Sequence, residues 1–183
     1  MQIKFSAELS KILELSRTEA LRTGSYGMGV DHLALGMLRH GDNEAVSILK
    51  RLGVDTALMK ETIDNAVFRE EAIPFGELEN IRPTRGTLSV LNMAAFEALK
   101  TGNRELGSEH LLEAVCLTAG NACSDFLRER GVTREKVCAL APSKDTEPTE
   151  KGLRVRLEDI AGALSEQIGA LMKESGNNSN YLS

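Results

Sequence analysis

Apolar side chains recur every three or four positions along much of the chain, with polar residues between them. They are Leu9, Ile12, Leu13, Leu15 and Ala20 in an early stretch and Leu88, Leu91, Ala95 and Leu99 in a later one. This spacing gathers the apolar side chains on one face of an α-helix. Runs of β-branched residues are short, and aromatic residues make up only 4% of the chain. The pattern therefore predicts an all-α protein.

The chain also repeats itself when it is shifted by 78 positions. Residues 19–24 (EALRTG) then fall on residues 97–102 (EALKTG), and residues 29–33 (GVDHL) fall on residues 107–111 (GSEHL). Because a fixed period of this kind marks a duplicated structural unit, we expect two copies packed with pseudo-twofold symmetry into one domain. The predicted division is residues 1–66, a linker of residues 67–82, and residues 83–141.

Each copy is predicted to contain four helices, because side chains suited to capping recur at equivalent positions. The first helix should begin after Ser6 or Thr84, whose hydroxyl groups can accept a bond from a free helix N–H. It should end at Gly24 or Gly102 in the left-handed conformation that favours glycine. The remaining predicted positions are starts after Gly29 and Gly107, third helices over 44–52 and 122–130, and caps at Asp55 and Thr133.

The end of the chain is predicted to differ from the two copies. Residues 142–152 (PSKDTEPTEKG) are rich in proline, threonine and charge, and are expected to form a flexible spacer. Residues 153–183 should contain an amphipathic helix, with a stripe at Leu157, Ala161, Leu164, Ile168 and Leu171, and a disordered end. The helix at 153–174 has three options: docking on its own domain, self-association with another copy, or binding to a partner.

Composition narrows the function classes. The 183 residues carry a net charge of −5, which disfavours nucleic-acid binding through a broad basic face. No apolar run approaches 18 residues and the start lacks a signal core, so we expect no membrane span and a cytoplasmic location. Three cysteines with no paired spacing are interpreted as core residues, and no metal or cofactor is expected.

Two pairs of segments resemble the paired Clp repeats. They are KFSAELSKILELSRTEALRTG with GVDHLALGMLR, and TRGTLSVLNMAAFEALKTG with GSEHLLEAVC. These repeats form the N-terminal domain of the ClpA- and ClpC-type AAA+ unfoldases, and the resemblance covers about residues 3–141. It implies two four-helix repeats in one all-α domain. It also implies a role in capturing substrate proteins, degradation tags or adaptor proteins, with Clp unfoldase or peptidase subunits as further partners.

The chain contains no G-x-x-x-x-G-K-[ST] loop for ATP. Two interpretations remain: a free-standing Clp-repeat protein, which we favour, or a truncated fragment of a Clp ATPase. We therefore expect a non-enzymatic protein–protein interaction module with no catalytic residues. The alternatives are a structural or regulatory subunit that controls the assembly of a Clp complex, and a fragment of the ATPase.

Two acidic residues, Asp31 and Glu109, occupy equivalent places in the first turn of a helix. One interpretation is compensation of the helix dipole. The other is recognition of a cation, because a carboxylate can accept two parallel bonds from a guanidinium group. The resemblance implies that Asp31 and Glu109 would hold the guanidinium of a phosphorylated arginine.

The neighbouring His32 and His110 are interpreted as structural side chains, since equivalent positions in two repeats usually lie apart. Cys116 lies six positions after His110 and on a different helix face, which disfavours a catalytic pair.

Phe5 and the segment Phe75–Pro83 form the second candidate surface. The resemblance implies that an apolar patch near the first helix of each repeat receives peptides and adaptors, and Phe5 matches that place. Alternatively, Phe5 packs onto Leu9. Arg82 and Arg85 could pair with acidic adaptor residues or remain solvated charges.

Overall fold

The computed structural model describes residues 3–142 and 166–170, and helices dominate these residues. The first half contains α1 (Ala7–Arg22), α2 (Val30–His40), α3 (Glu44–Arg51) and α4 (Thr56–Val67), and the second half α5 (Arg85–Lys100), α6 (Ser108–Cys116), α7 (Ala122–Glu129) and α8 (Arg134–Leu140). A 3-10 helix covers Phe75–Asn80. The all-α prediction is confirmed. Four two-residue strands were not predicted, namely β1 (Lys4–Phe5), β2 (Gly27–Met28), β3 (Arg82–Pro83) and β4 (Glu105–Leu106).

The predicted helix starts are confirmed by the bonds that cap them. The hydroxyl of Ser6 accepts from the backbone N–H of Leu9 at 3.0 Å, and the hydroxyl of Thr84 accepts from that of Thr87 at 3.2 Å. Asp55 caps α4 in the same way. The third helix of each copy ends one residue earlier than expected, at 51 and 129.

The predicted left-handed glycines follow the first helix of each repeat. Gly24 has φ of 80° and Gly102 has φ of 75°. At Gly24 a second constraint applies, because a Cβ atom there would lie 2.3 Å from the carbonyl oxygen of Glu71. Glycine is therefore required at Gly24 by both backbone conformation and space.

The short strands exchange partners between the repeats. β1 pairs in parallel with β4, and β2 pairs in parallel with β3. The backbone N–H of Lys4 donates to the carbonyl oxygen of Arg104 at 3.1 Å, and the N–H of Arg82 donates to that of Tyr26 at 3.0 Å. A shift of 78 positions converts each bond into the other, so the two repeats are related by a pseudo-twofold axis.

The two repeats share one continuous hydrophobic core. It runs from Leu9 and Ile12 in α1 to Leu111 and Leu112 in α6, and all four side chains are fully buried. Contacts between α3 and α6, and between α4 and α7, cross from one repeat to the other. A unit of some 60 residues has a small core of its own, so this sharing favours one domain.

The segment between α4 and α5 is anchored to the end of α1. The backbone N–H of Arg69 donates to the carbonyl oxygen of Thr23 at 3.0 Å. Ile73 and Ile81 are buried, and the 3-10 helix packs against α1. The segment therefore presents its remaining side chains along one flank of the first repeat.

Residues 166–170 are helical and contact the start of the chain. Gln167 bonds to the backbone of Ile3 and Phe5, and Ile168 is only 4% exposed within the core. Of the three options for the tail helix, residues 166–170 show the first, docking on the chain's own domain. The predicted spacer beyond residue 142, the disordered end and the stripe positions Leu157, Ala161, Leu164 and Leu171 lie outside the described residues.

Candidate functional site

The carboxylate of Asp31 is directed at the N-terminus of α7 in the other repeat. Its oxygens accept bonds from the backbone N–H groups of Cys123 at 2.8 Å and Ala122 at 3.2 Å. Free N–H groups at a helix N-terminus carry partial positive charge, which an acidic side chain stabilises. Asp31 therefore caps a helix 91 residues away.

Glu109 occupies the equivalent position but makes no equivalent cap. At the matching helix, the hydroxyl of Ser108 accepts the backbone N–H of Ala45 at 3.1 Å. The carboxylate of Glu109 instead lies 3.4 Å from Nδ1 of His110. Burial raises the pKa of Glu109, and the nearby carboxylate of Glu8 raises it further. The two acids are thus placed alike but partnered differently.

Glu109 borders a cavity of about 140 Å³ that lies within the second repeat. Its lining includes Glu113, whose side chain is buried, with only 2% exposed. Among the described residues, Oε2 of Glu113 has no hydrogen-bond partner. The other lining residues are Thr101, Asn103, His110, Cys138, Ala141 and Pro142.

The first repeat carries larger apolar side chains at the same places. Leu35 and Ile63 stand where the second repeat has Glu113 and Ala141, and both are fully buried. Replacing a branched side chain by alanine leaves space, and replacing leucine by glutamate makes that space acidic. Burial raises the pKa of Glu113, while a bond with the Cys138 thiol opposes that rise. The acidic cavity is therefore a difference between two copies of one fold.

Both histidines bond to backbone within their own repeat. Nδ1 of His32 accepts from the N–H of Gly29 at 2.9 Å, and Nδ1 of His110 accepts from that of Gly107 at 3.1 Å. Nε2 of His32 lies 2.9 Å from the hydroxyl of Thr23. These contacts agree with the structural interpretation. Among residues 3–142 and 166–170, no group of acidic, histidine or cysteine side chains is arranged to hold a metal.

The thiols are poor nucleophiles because burial disfavours their charged form. It raises the pKa of Cys116 to about 12 and that of Cys138 to about 11. The pKa of Cys123 is also raised, since this side chain is fully buried. The arrangement disfavours thiol chemistry at pH 7.

The structure separates the residues of the second candidate surface. Phe5 on β1 is half-buried and packs against the core. Arg82 lies on the other two-stranded sheet, is exposed, and donates to the backbone carbonyl of Glu79. Arg85 is exposed in the first turn of α5. Phe5 and Arg82 are therefore not brought together by strand pairing.

Exposed aromatic side chains form a feature that sequence reasoning largely missed. Of the six aromatic residues in the described part of the chain, four are exposed: Tyr26 (53%), Phe68 (58%), Phe75 (63%) and Phe96 (40%). Phe68 and Phe75 lie on the segment that joins the repeats, and Tyr26 precedes the strand that pairs with its end. Only Phe75 lay within a predicted surface. For Phe68 and Phe75, the available signal was the presence of aromatic residues in a linker rich in charge.

No helix in the described part of the chain combines the length and apolar character needed to span a membrane.

Comparison with known proteins places these features in a family. The sequence model of the Clp repeat (R) N-terminal domain matches residues 4–130. The "Negative regulator of genetic competence ClpC/MecB" of Bacillus subtilis is 25% identical over 176 residues, which cover 93% of this chain and 21% of that protein. The "Chaperone protein ClpB" of Oceanobacillus iheyensis is 26% identical over 153 residues, covering 81% and 18%.

A solved structure shows the same fold. The N-terminal domain (1–163) of the ClpV1 ATPase from E. coli has a TM-score of 0.60 at 16% identity, covering 80% of this chain and 91% of that one. By contrast, the chain spans about a fifth of the length of the ClpC and ClpB relatives.

Proposed function

The chain belongs to the family of the Clp repeat N-terminal domain, and from this premise we propose that it is a cytoplasmic interaction module of the Clp system. It binds substrate polypeptides or adaptor proteins and brings them to an AAA+ unfoldase. In this proposal, the unfoldase carries out the unfolding and its peptidase the cleavage.

The exposed aromatic side chains carry this proposal. Aromatic residues normally contribute to the core, because each buries a large apolar area. Here Phe68 and Phe75 are more than half exposed on a segment whose backbone is anchored to α1. Exposed aromatic side chains on a fixed support are typical of surfaces that bind other polypeptides.

The acidic residues contribute unequally to the same proposal. The oxygens of Asp31 already accept two backbone bonds, so a guanidinium would compete with the cap of α7. Glu109 borders the cavity of the second repeat, and the α3 N-terminus that it would cap by symmetry bonds to the Ser108 hydroxyl instead. We therefore assign cation recognition, including that of a phosphorylated arginine, to Glu109 before Asp31.

Binding of fluorescently labelled β-casein, an unfolded polypeptide, and of a purified ClpC-type unfoldase tests the proposal. Replacing Phe68 and Phe75 together by serine should weaken casein binding about tenfold, as expected when two aromatic anchors are lost. Replacing the exposed aliphatic residues Leu58 and Leu117 by serine is the matched control and should have little effect. A full chain that binds neither casein nor the unfoldase would contradict the proposal.

A further inference from the structure

One edge of strand β1 faces β4, and the opposite edge faces the tail. On the β4 side, the backbone N–H groups of Lys4 and Ser6 donate to the carbonyl oxygens of Arg104 and Leu106. Because backbone groups alternate in direction along a strand, the N–H of Phe5 points to the other side. The outer edge of β1 thus carries backbone groups that β4 leaves unpaired and that need another partner.

The side-chain amide of Gln167 supplies that partner. Its Oε1 accepts from the N–H of Phe5 at 3.3 Å, and its Nε2 donates to the carbonyl oxygen of Ile3 at 2.9 Å. One amide group therefore makes the pair of bonds that the backbone of an added strand would make. The next residue, Ile168, is buried in the core beside it.

The corresponding edge in the second repeat lacks the N–H donor. The position equivalent to Phe5 is Pro83 on β3, and proline has no N–H to donate. The 78-residue offset thus identifies a strand with both the donor and the acceptor for a further strand, and a copy of it that lacks the donor. Proline at this position also shows that the fold accepts the loss of this one donor.

We propose that the outer edge of β1 is a binding site for an extended polypeptide segment, which pairs its backbone with Ile3 and Phe5. One aliphatic side chain of that segment takes the place of Ile168. Gln167 and Ile168 of the chain itself occupy the site in its absence. The inference rests on the proposed function and names the conformation and chemistry of the polypeptide that is bound.

Competition between tail and ligand follows from the bonds involved. An added strand and the Gln167 amide cannot both pair with the N–H of Phe5 and the oxygen of Ile3. Each neutral hydrogen bond changes an equilibrium by roughly tenfold or less. Removing the Gln167 amide should therefore tighten peptide binding by about fivefold to a hundredfold.

The experiment measures the affinity of a fluorescein-labelled peptide of alternating threonine and valine for the full chain, by fluorescence anisotropy. Gln167→Ala should bind it about fivefold tighter or more. Adding Phe5→Leu keeps the backbone N–H and should retain most of this gain. Adding Phe5→Pro instead removes the N–H, as Pro83 does in the other repeat, and should abolish it.

A second measurement covers the case in which the proline variant folds poorly. Amide hydrogen exchange at Phe5 should become faster in Gln167→Ala, and saturating peptide should restore its protection. Equal peptide affinity in the leucine and proline variants, or unchanged exchange at Phe5, would overturn the inference. If casein binding then still depended on Phe68 and Phe75, the proposed function would stand without this site.

Discussion

Asp31 and Cys123 join the two repeats through one short hydrogen bond. Oδ1 of the aspartate accepts the backbone N–H of the cysteine at 2.8 Å. The N–H of Ala122 donates to the other oxygen, so the carboxylate closes the first turn of α7 from outside its own repeat. Any role of Asp31 in binding must therefore be separated from its role in holding the repeats together.

Replacing Asp31 by alanine should lower the free energy of unfolding by about 1 kcal/mol, in the range found for lost helix caps. Asp31→Asn is the matched control, because the amide oxygen can still accept one N–H bond, and it should cost less. Urea denaturation followed by circular dichroism measures both. Equal stability of the alanine variant and the wild type would show that the contact does not stabilise the fold.

Glu109 and Glu113 should make the protein less stable as the pH rises. Burial raises the pKa of both carboxyl groups in the folded state. The folded chain therefore keeps protons that the unfolded chain has already released. Their stabilising contribution is complete below the unfolded pKa of about 4.3 and is lost as the pH rises through the folded values.

The double variant Glu109→Gln, Glu113→Gln has no such contribution to lose. Its free energy of unfolding should therefore rise relative to that of the wild type as the pH increases from 4 to 7. Urea denaturation across this range measures the difference. Glu135→Gln is the control with the opposite sign, because bonds to its own backbone and to Thr133 lower the pKa of Glu135. A parallel pH dependence in the wild type and the double variant would contradict the expectation.

The helix starts were predictable because their signals are local. Ser6 and Thr84 each lie three residues before the N–H that their hydroxyl accepts. The glycines that end α1 and α5 carry their own signal, since few other residues adopt a positive φ. Because each of these signals lies within a few residues of the helix end that it marks, the helices could be assigned from the sequence alone.

The strands were not predictable for the opposite reason. A strand of two residues is too short to show an alternating pattern. The partners of β1 lie about a hundred residues away, at Glu105 and Leu106. Only the packed arrangement of the two repeats brings these segments together.

The candidate site shows the same limit. The sequence placed Asp31 and Glu109 at equivalent positions but could not show that Asp31 caps a helix of the other repeat while Ser108 takes the matching place beside Glu109. The cavity beside Glu109 also required the structure, because Glu113 and Ala141 both line it but lie 28 residues apart in the chain. Comparing Leu35 and Ile63 of the first repeat with these two residues would have given the one available signal.

Gly36 on α2 lies tightly against the backbone and side chains of α1. A Cβ atom there would lie 2.2 Å from the hydroxyl of Ser16 and 2.7 Å from the carbonyl oxygen of Ile12. Gly36→Ala should therefore lower the free energy of unfolding by about 1–3 kcal/mol, as overpacking does. Thermal and urea denaturation measure this loss.

Gly86→Ala is the matched control, because an added Cβ atom there meets nothing closer than 3.7 Å. It should leave stability unchanged or raise it by up to about 1 kcal/mol through helix propensity. The second repeat has alanine at both Ala94 and Ala114, which are equivalent to Ser16 and Gly36. Adding Ser16→Ala should therefore recover part of the loss, and an unaltered loss would assign the clash to the backbone of Ile12.

His32 should make the protein less stable as the pH falls. Burial lowers the pKa of its imidazole, whose Nδ1 accepts the N–H of Gly29. The unfolded chain binds a proton as the pH drops through about 6.5, while folded His32 stays neutral. Stability is therefore lost between the unfolded pKa and the lower folded pKa.

His32→Phe removes this dependence along with both hydrogen bonds, and should cost about 1–3 kcal/mol at pH 7.5. Urea denaturation at pH 7.5 and pH 5.5 tests both effects, and the loss of stability on acidification should be smaller in the variant. An equal loss in the two proteins would show that His32 is not held neutral by the fold.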